Sequence, residues 1–323
     1  MPDSVRVVTL SRPLDLGATL GPLRRTANDP CVRIGEREAW RATRTPAGPA
    51  TQRIRLRGRE ALVEAWGRGA GWLSERAPAL LGEEDDASDF VPRHQLLAEL
   101  TRRLPGLRLT RSWAVMEALT GSIIEQKVPG AEARTSYGRL IRALGEPAPG
   151  PLPGLWLPPR ADVITRTPYE TFHGFGIERR RAEILRRAAS YARRVEECAD
   201  MEPSAATRRL RALPGIGPWT AAEVVGVALG DPDAVAVGDY HHPHMVAFAL
   251  AGEERGTDER MLELLEPYRG HRGRVVRLLL AGGISAPRRG PRLPLNAGLG
   301  FGPQRRVHSS YRGPREIADF VGW

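Results

Sequence analysis

The chain has 323 residues, enough for about two domains and a sizeable core. With 41% hydrophobic and 27% charged residues, no apolar run of the roughly 18 to 20 residues that a membrane helix needs, and Cys31 and Cys198 set far apart, the composition excludes a membrane-spanning protein, a disulfide miniprotein and a cysteine-built metal cluster. The formal charge is +10, but residues 286–323 hold seven basic and two acidic side chains, so half of the excess sits in the tail and net charge alone points weakly to nucleic acid.

No basic-then-apolar leader opens the chain, and a reducing, cytoplasmic protein is expected. Val5–Leu10 is apolar and β-branched. Ala39–Thr43 and Gln52–Arg57 alternate on either side of Pro46-Ala47-Gly48-Pro49, which predicts a hairpin. Arg59–Leu81 spaces Leu62, Val63, Trp66 and Leu73 as a helix does. The acidic run Glu83–Phe90 reads as a linker, so residues 1–91 are expected to form a small α+β domain, an antiparallel sheet with a helix. Residues 92–285 are helical in pattern and predict an all-α domain. Its helices are expected from an N-cap at Ser112 to the Pro129-Gly130 break, then over Ala131–Leu144, Glu178–Glu197, Ser204–Leu213, Pro218–Leu229, Pro243–Ala251, Asp258–Leu265 and Gly273–Leu280. Residues 286–323, with five Pro, six Gly and seven Arg, are too poor in apolar side chains for a core and read as a basic, disordered tail.

The chemistry concentrates in two stretches. In Leu213-Pro214-Gly215-Ile216-Gly217-Pro218-Trp219-Thr220-Ala221 the glycines permit positive φ and close backbone approach, Ile216 can plug the gap between two helices, and Pro218 suits a first helical position. Such a turn points backbone N–H groups outward at a helix N-terminus, a cradle for a DNA phosphate that reads no sequence. About twenty residues on, Asp239 lies just ahead of the helix that Pro243 opens, where the macrodipole favours an ionised carboxylate. That position suits both a structural cap and a reactive group. His241, His242 and His244 invite a metal reading, which is set aside because successive positions point in different directions.

These two motifs, in this order, resemble the helix-hairpin-helix DNA glycosylases, and most closely the bacterial alkylation-inducible 3-methyladenine (type II) branch. Further landmarks fall in order: Leu104-Pro105-Gly106, the helix ending Glu125-Gln126-Lys127, Phe175-Gly176-Ile177 with the Arg180-Arg181 helix, and Pro267–Gly273. The resemblance implies removal of alkylated purines from duplex DNA, with Asp239 as the catalytic carboxylate and Trp219, Glu223, Tyr240 and His271 lining the base pocket. It further implies DNA contacts from Gln126, Lys127, Leu213, Gly215, Ile216, Gly217, Thr220 and Arg272, damaged double-stranded DNA as partner, a monomer with no membrane association, and a monovalent cation on the hairpin carbonyls as the one candidate ion. Trp219 stands where strand-cleaving members carry a Schiff-base lysine, so no lyase activity is expected; with two cysteines, the iron–sulfur branch is excluded. Three departures bear on substrate: Lys127 in place of a leucine wedge, Glu223 in place of a pocket tyrosine, and His271 near the place of a tryptophan. The rival reading is a noncatalytic DNA-binding or lesion-sensing module that keeps the hairpin.

Overall fold

A computed structural model describes residues 1–287. The expectation of a disordered basic tail at 286–323 therefore falls almost wholly outside the described residues. In chain order the elements are β1 (Ser4–Thr9), α1 (Leu16–Leu20), β2 (Val32–Ile34), β3 (Glu38–Thr45), β4 (Gly48–Arg57), β5 (Glu60–Trp66), α2 (Ala70–Leu80), α3 (Gln95–Arg103), α4 (Val115–Glu125) and α5 (Gly130–Leu144). There follow β6 (Glu146–Pro147), β7 (Trp156–Leu157), α6 (Ala161–Arg166), α7 (Tyr169–Gly174), α8 (Arg179–Ser190), α9 (Ala192–Glu196), α10 (Pro203–Arg211), α11 (Pro218–Ala228), α12 (His242–Ala251), α13 (Asp258–Leu265) and α14 (Arg272–Ala281). The architecture is α+β.

The sheet is antiparallel in the order β1-β5-β4-β3-β2. The expected hairpin, between β3 and β4, closes Thr45 on Gly48 across Pro46-Ala47, with Gly48 at φ +128°. The helix expected over Arg59–Leu81 starts only at Ala70, because Glu60–Trp66 is a strand paired with both β1 and β4. Its buried positions are Ala61, Val63 and Ala65, a period of two that small alanines conceal in sequence.

The acidic run is no solvated linker. Asp85 is buried and paired with Arg274 (2.6 Å) and Arg12 (2.8 Å), and Glu83 pairs with the fully buried Arg108. These pairs pin the segment between sheet and helices, and the described residues form one compact unit.

The apolar interior has two large parts, beside two small clusters around Trp40 and around Leu73. One runs from Val8 through the sheet, α4, α5, α8 and α10 to α11, and the other joins α3, α12, α13 and α14 around Leu97, Val246, Leu265 and Leu279. The loop from α11 to α12 crosses between them.

Ser112 is not the cap of α4. The helix begins three residues later, and its first N–H groups, Val115 N (3.1 Å) and Met116 N (3.0 Å), donate to the carboxylate of Glu196 at the end of α9. Burial pushes this carboxyl up to about 7, against the pull of those two N–H groups. An acid whose folded value is raised keeps its proton longer in the native state, so its contribution favours folding at low pH and fades as pH rises from about 4.5 to about 7. The thermal midpoint is therefore expected to fall over that interval, by at most about 3 kcal/mol of stability from this group. In Glu196→Gln, measured by thermal denaturation across the same range, the slope should flatten.

Candidate active site

The hairpin forms as its residues dictate. Leu213 to Gly217 turns the chain from α10 into α11, with Pro218 in the first turn of α11 and the Leu213 carbonyl accepting from Ile216 N (3.0 Å). Gly215 sits at φ +96°, and a Cβ there would lie 2.5 Å from Ile184 Cγ1, so the position excludes any side chain twice over. Gly217 differs from the expectation. It is extended rather than left-handed, and the space beside it is open, so a side chain is excluded by neither φ nor packing; its bareness leaves the approach to the α11 N-terminus clear. Ile216 is buried against the first core, as its plug role requires.

Gln126 at the end of α4 donates from Nε2 to the Gly215 carbonyl (3.1 Å) and to Thr220 Oγ1 (2.9 Å). Its Nε2 thus holds the hairpin, and Thr220 is buried beneath it. Lys127, next in the chain, is exposed and left-handed at φ 54°. The Leu213 and Gly215 carbonyls each accept one hydrogen bond, from Ile216 N and Gln126 Nε2 respectively.

Asp239 is anchored by three donors. Its Oδ1 accepts from His241 N (2.7 Å) and His242 N (2.9 Å) at the start of α12, and its Oδ2 accepts from Trp219 Nε1 (2.9 Å) on α11. Burial works to raise its pKa, but His242, charged at the low pH where Asp239 titrates, outweighs it together with the two backbone N–H groups and the indole, and the carboxyl is held below the usual range. The carboxylate is thus fully ionised at neutral pH and fixed in direction. His242 itself is lowered by its burial and its Nδ1 is buried with no hydrogen-bond partner.

Beside these groups lies a cavity of about 300 Å³ at the seam between the two cores. Its wall includes Arg25 and Arg24 from the segment after α1, Glu125 of α4, Glu223 of α11, His242 of α12 and Arg277 of α14. Glu223 is pushed up to about 7 by burial, with Arg25 pulling down, Glu125 and Asp239 pushing up, and Arg277 pulling down. A larger, open groove of about 1350 Å³ borders the hairpin at Leu213 and Pro214 and is lined by Arg186, Arg187, Arg193, Arg194 and Arg209; its one carboxylate, Glu197, is taken by Arg209 (2.8 Å).

No protein-family model matches the chain. A stretch of 170 residues, 50% of the chain, is 26% identical to YfjP of Bacillus subtilis (strain 168), named as a candidate DNA-3-methyladenine glycosylase, and covers 58% of that protein. A 3-methyladenine DNA glycosylase from Archaeoglobus fulgidus superposes with a TM-score of 0.72 at 19% identity, over 85% of this chain and 97% of that one. The chain has the fold of the helix-hairpin-helix DNA glycosylase superfamily. The same fold is seen in the Clostridium acetobutylicum 8-oxoguanine glycosylase/lyase in complex with duplex DNA, with a TM-score of 0.65 at 13% identity over 87% of this chain and 97% of that one. The chain spans less than two thirds of the length of the relatives that it matches in sequence.

Within this glycosylase fold the structure gathers Asp239, Trp219 and the hairpin at one place and sets Glu223 on the adjoining cavity. It does not bring His271 there. That ring is buried elsewhere, with Nε2 at 2.7 Å from Asp89 and Nδ1 accepting from Arg274 Nε (3.0 Å), so both nitrogens are committed to anchoring the acidic segment. Arg272 turns its Nε (2.9 Å) and Nη2 (2.5 Å) onto Asp233. Tyr240 points outward, 73% exposed, with His241 and His244 against its ring edge and face. Arg25 and Arg277 are the cavity residues that sequence reading missed. Their only signal was distance in sequence, about 250 residues apart, which no local pattern can bridge.

Gly215→Ala should destabilise the fold by about 1 to 3 kcal/mol through the forced left-handed φ. Gly217→Ala, with no clash to meet, should leave the stability within about 0.5 kcal/mol of wild type. Denaturant titration checks both.

Proposed function

We propose that the protein is a monofunctional DNA glycosylase that hydrolyses the N-glycosidic bond of alkylated purines in duplex DNA, acting in the cytoplasm in base-excision repair. One observation carries the reading: an ionised Asp239 aimed by three donors from two helices, between a phosphate-binding hairpin and a base-sized cavity.

The hairpin N–H groups hold a phosphate by the dipole of α11, and the arginine-lined groove beside it supplies further cationic surface along the strand. The target nucleotide turns out of the stack at a cost of a few kcal/mol, least for a damaged pair. An N-alkylated purine already carries positive charge, so it departs without a dedicated acid, and the sugar left behind becomes oxocarbenium-like. Asp239 faces that developing charge. Because its direction is set before substrate arrives, no reorganisation is needed as the bond breaks. The question of lyase chemistry reduces to amines: Lys127 is the only lysine in the sequence, and the Schiff-base position of strand-cleaving members holds Trp219, whose indole is bonded to Asp239.

Asp239→Asn should lower release of free base from methylated duplex DNA by about 10²-fold or more, with strand breaks in the wild-type reaction appearing only after alkali. Borohydride should trap no enzyme–DNA adduct. Equal release by the variant would move the chemistry to another residue, and breaks without alkali would overturn the monofunctional assignment.

A further inference from the structure

Five arginines from α8, α9 and α10 surround the open groove beside the hairpin, and Glu197 is the one carboxylate among its lining residues. Arg209 takes that carboxylate (2.8 Å). Arg186 donates from Nε to the Thr165 carbonyl (3.2 Å) and Arg187 from Nη1 to the Pro214 carbonyl (3.4 Å), each bond using one N–H of a five-donor fork. Arg193 and Arg194 are exposed, and their guanidiniums have no acceptor among the described residues. Four guanidiniums therefore line the groove without a carboxylate to balance them.

The lining is not only cationic. Val195 and Leu210 are buried in it, Leu213 is half-buried, and Tyr191, which joins α8 to α9, is 48% exposed with no ring or guanidinium partner among the described residues.

We infer that, given the hold on DNA in the reading above, this groove takes an unpaired stretch of the strand that leaves the hairpin, with the arginines on its phosphates and Tyr191 stacked on a base. What each form of DNA shows to a surface decides against a paired stretch. A duplex turns its phosphates outward and keeps its base faces in the stack, so it would engage the arginines and leave the tyrosine ring and the apolar lining in water. An unpaired strand offers phosphates and base faces together, and a cationic groove with an aromatic platform holds such a strand whatever its sequence. Continuity with the hairpin favours nucleic acid over an acidic protein. Leu213 and Pro214 belong both to the groove and to the turn, and the bond from Arg187 lands on the residue just before Gly215. A strand gripped at the N-terminus of α11 thus reaches the groove along one unbroken surface. The consequence is a preference for damage lying beside a gap or an unwound end.

The test is fluorescence anisotropy with the full-length protein on a blunt duplex carrying 7-methylguanine and on the same duplex with a single-stranded overhang of about 8 nucleotides at either end of the damaged strand. Release of the base from each is followed in parallel. One of the two overhangs is expected to tighten binding about tenfold, a gain that Tyr191→Ala removes and Tyr191→Phe, which keeps the ring, retains. Replacing both Arg193→Gln and Arg194→Gln should lower the log–log salt slope of overhang binding by about 1.4, at about 0.7 per phosphate of a single strand. Equal affinity for blunt and overhang duplexes, or a gain that survives Tyr191→Ala, overturns the inference. A glutamate-rich peptide that displaces the overhang as readily as a free oligonucleotide does so too, and makes the groove a surface for acidic protein. Overhang-selective binding through Tyr191 with no Asp239-dependent base release from any duplex upholds the groove and defeats the glycosylase reading, whereas base release without overhang selectivity does the reverse.

Discussion

The contact on which the site depends is the carboxylate of Asp239 shared between two helices. One oxygen closes the N-terminus of α12, and the other receives the indole of Trp219 from the first turn of α11. Because α11 belongs to one apolar core and α12 to the other, this single side chain fastens the seam along which the cavity opens. The group that acts ionised in the proposed chemistry is thereby also the group whose ionisation stabilises the junction. The two demands agree in sign, so no stability is lost in keeping the carboxylate charged.

Much of this was legible in the sequence because it is local. Gly215, Ile216 and Pro218 each act within a few residues of themselves, and Asp239 reads as a cap from the proline that follows it at position 243. What sequence misread was non-local. Glu60–Trp66 passed for helix because its inward residues are mostly alanine, and the choice between periods is made by the neighbouring strands β1 and β4. Glu83–Phe90 passed for a linker because acidic runs are usually solvated, whereas here Arg108 and Arg274, far along the chain, take up the charge. His271 and Arg272 were placed by position in a motif, and their actual partners, Asp89 and Asp233, decide where they point.

The pattern extends to helix capping. Among the helices around the site, α4 has no capping side chain of its own and borrows the carboxylate of Glu196, some 80 residues later. Likewise the cavity wall is assembled from segments after α1, on α11 and on α14, so its electrostatic character exists only once the chain has closed on itself. A protein that writes almost every cation as arginine gains fixed planar donors for such long-range ties, and these are the ties that hold sheet and helices in one unit.

The bond from Gln126 to the hairpin has a geometric corollary. With its amide locked onto Gly215 and Thr220, the end of α4 and the hairpin turn behave as one jaw of a caliper. Residue 127 is the exposed tip of that jaw, and its backbone is left-handed. The offset between that tip and the hairpin turn is then a constant of the fold, set by one glutamine amide.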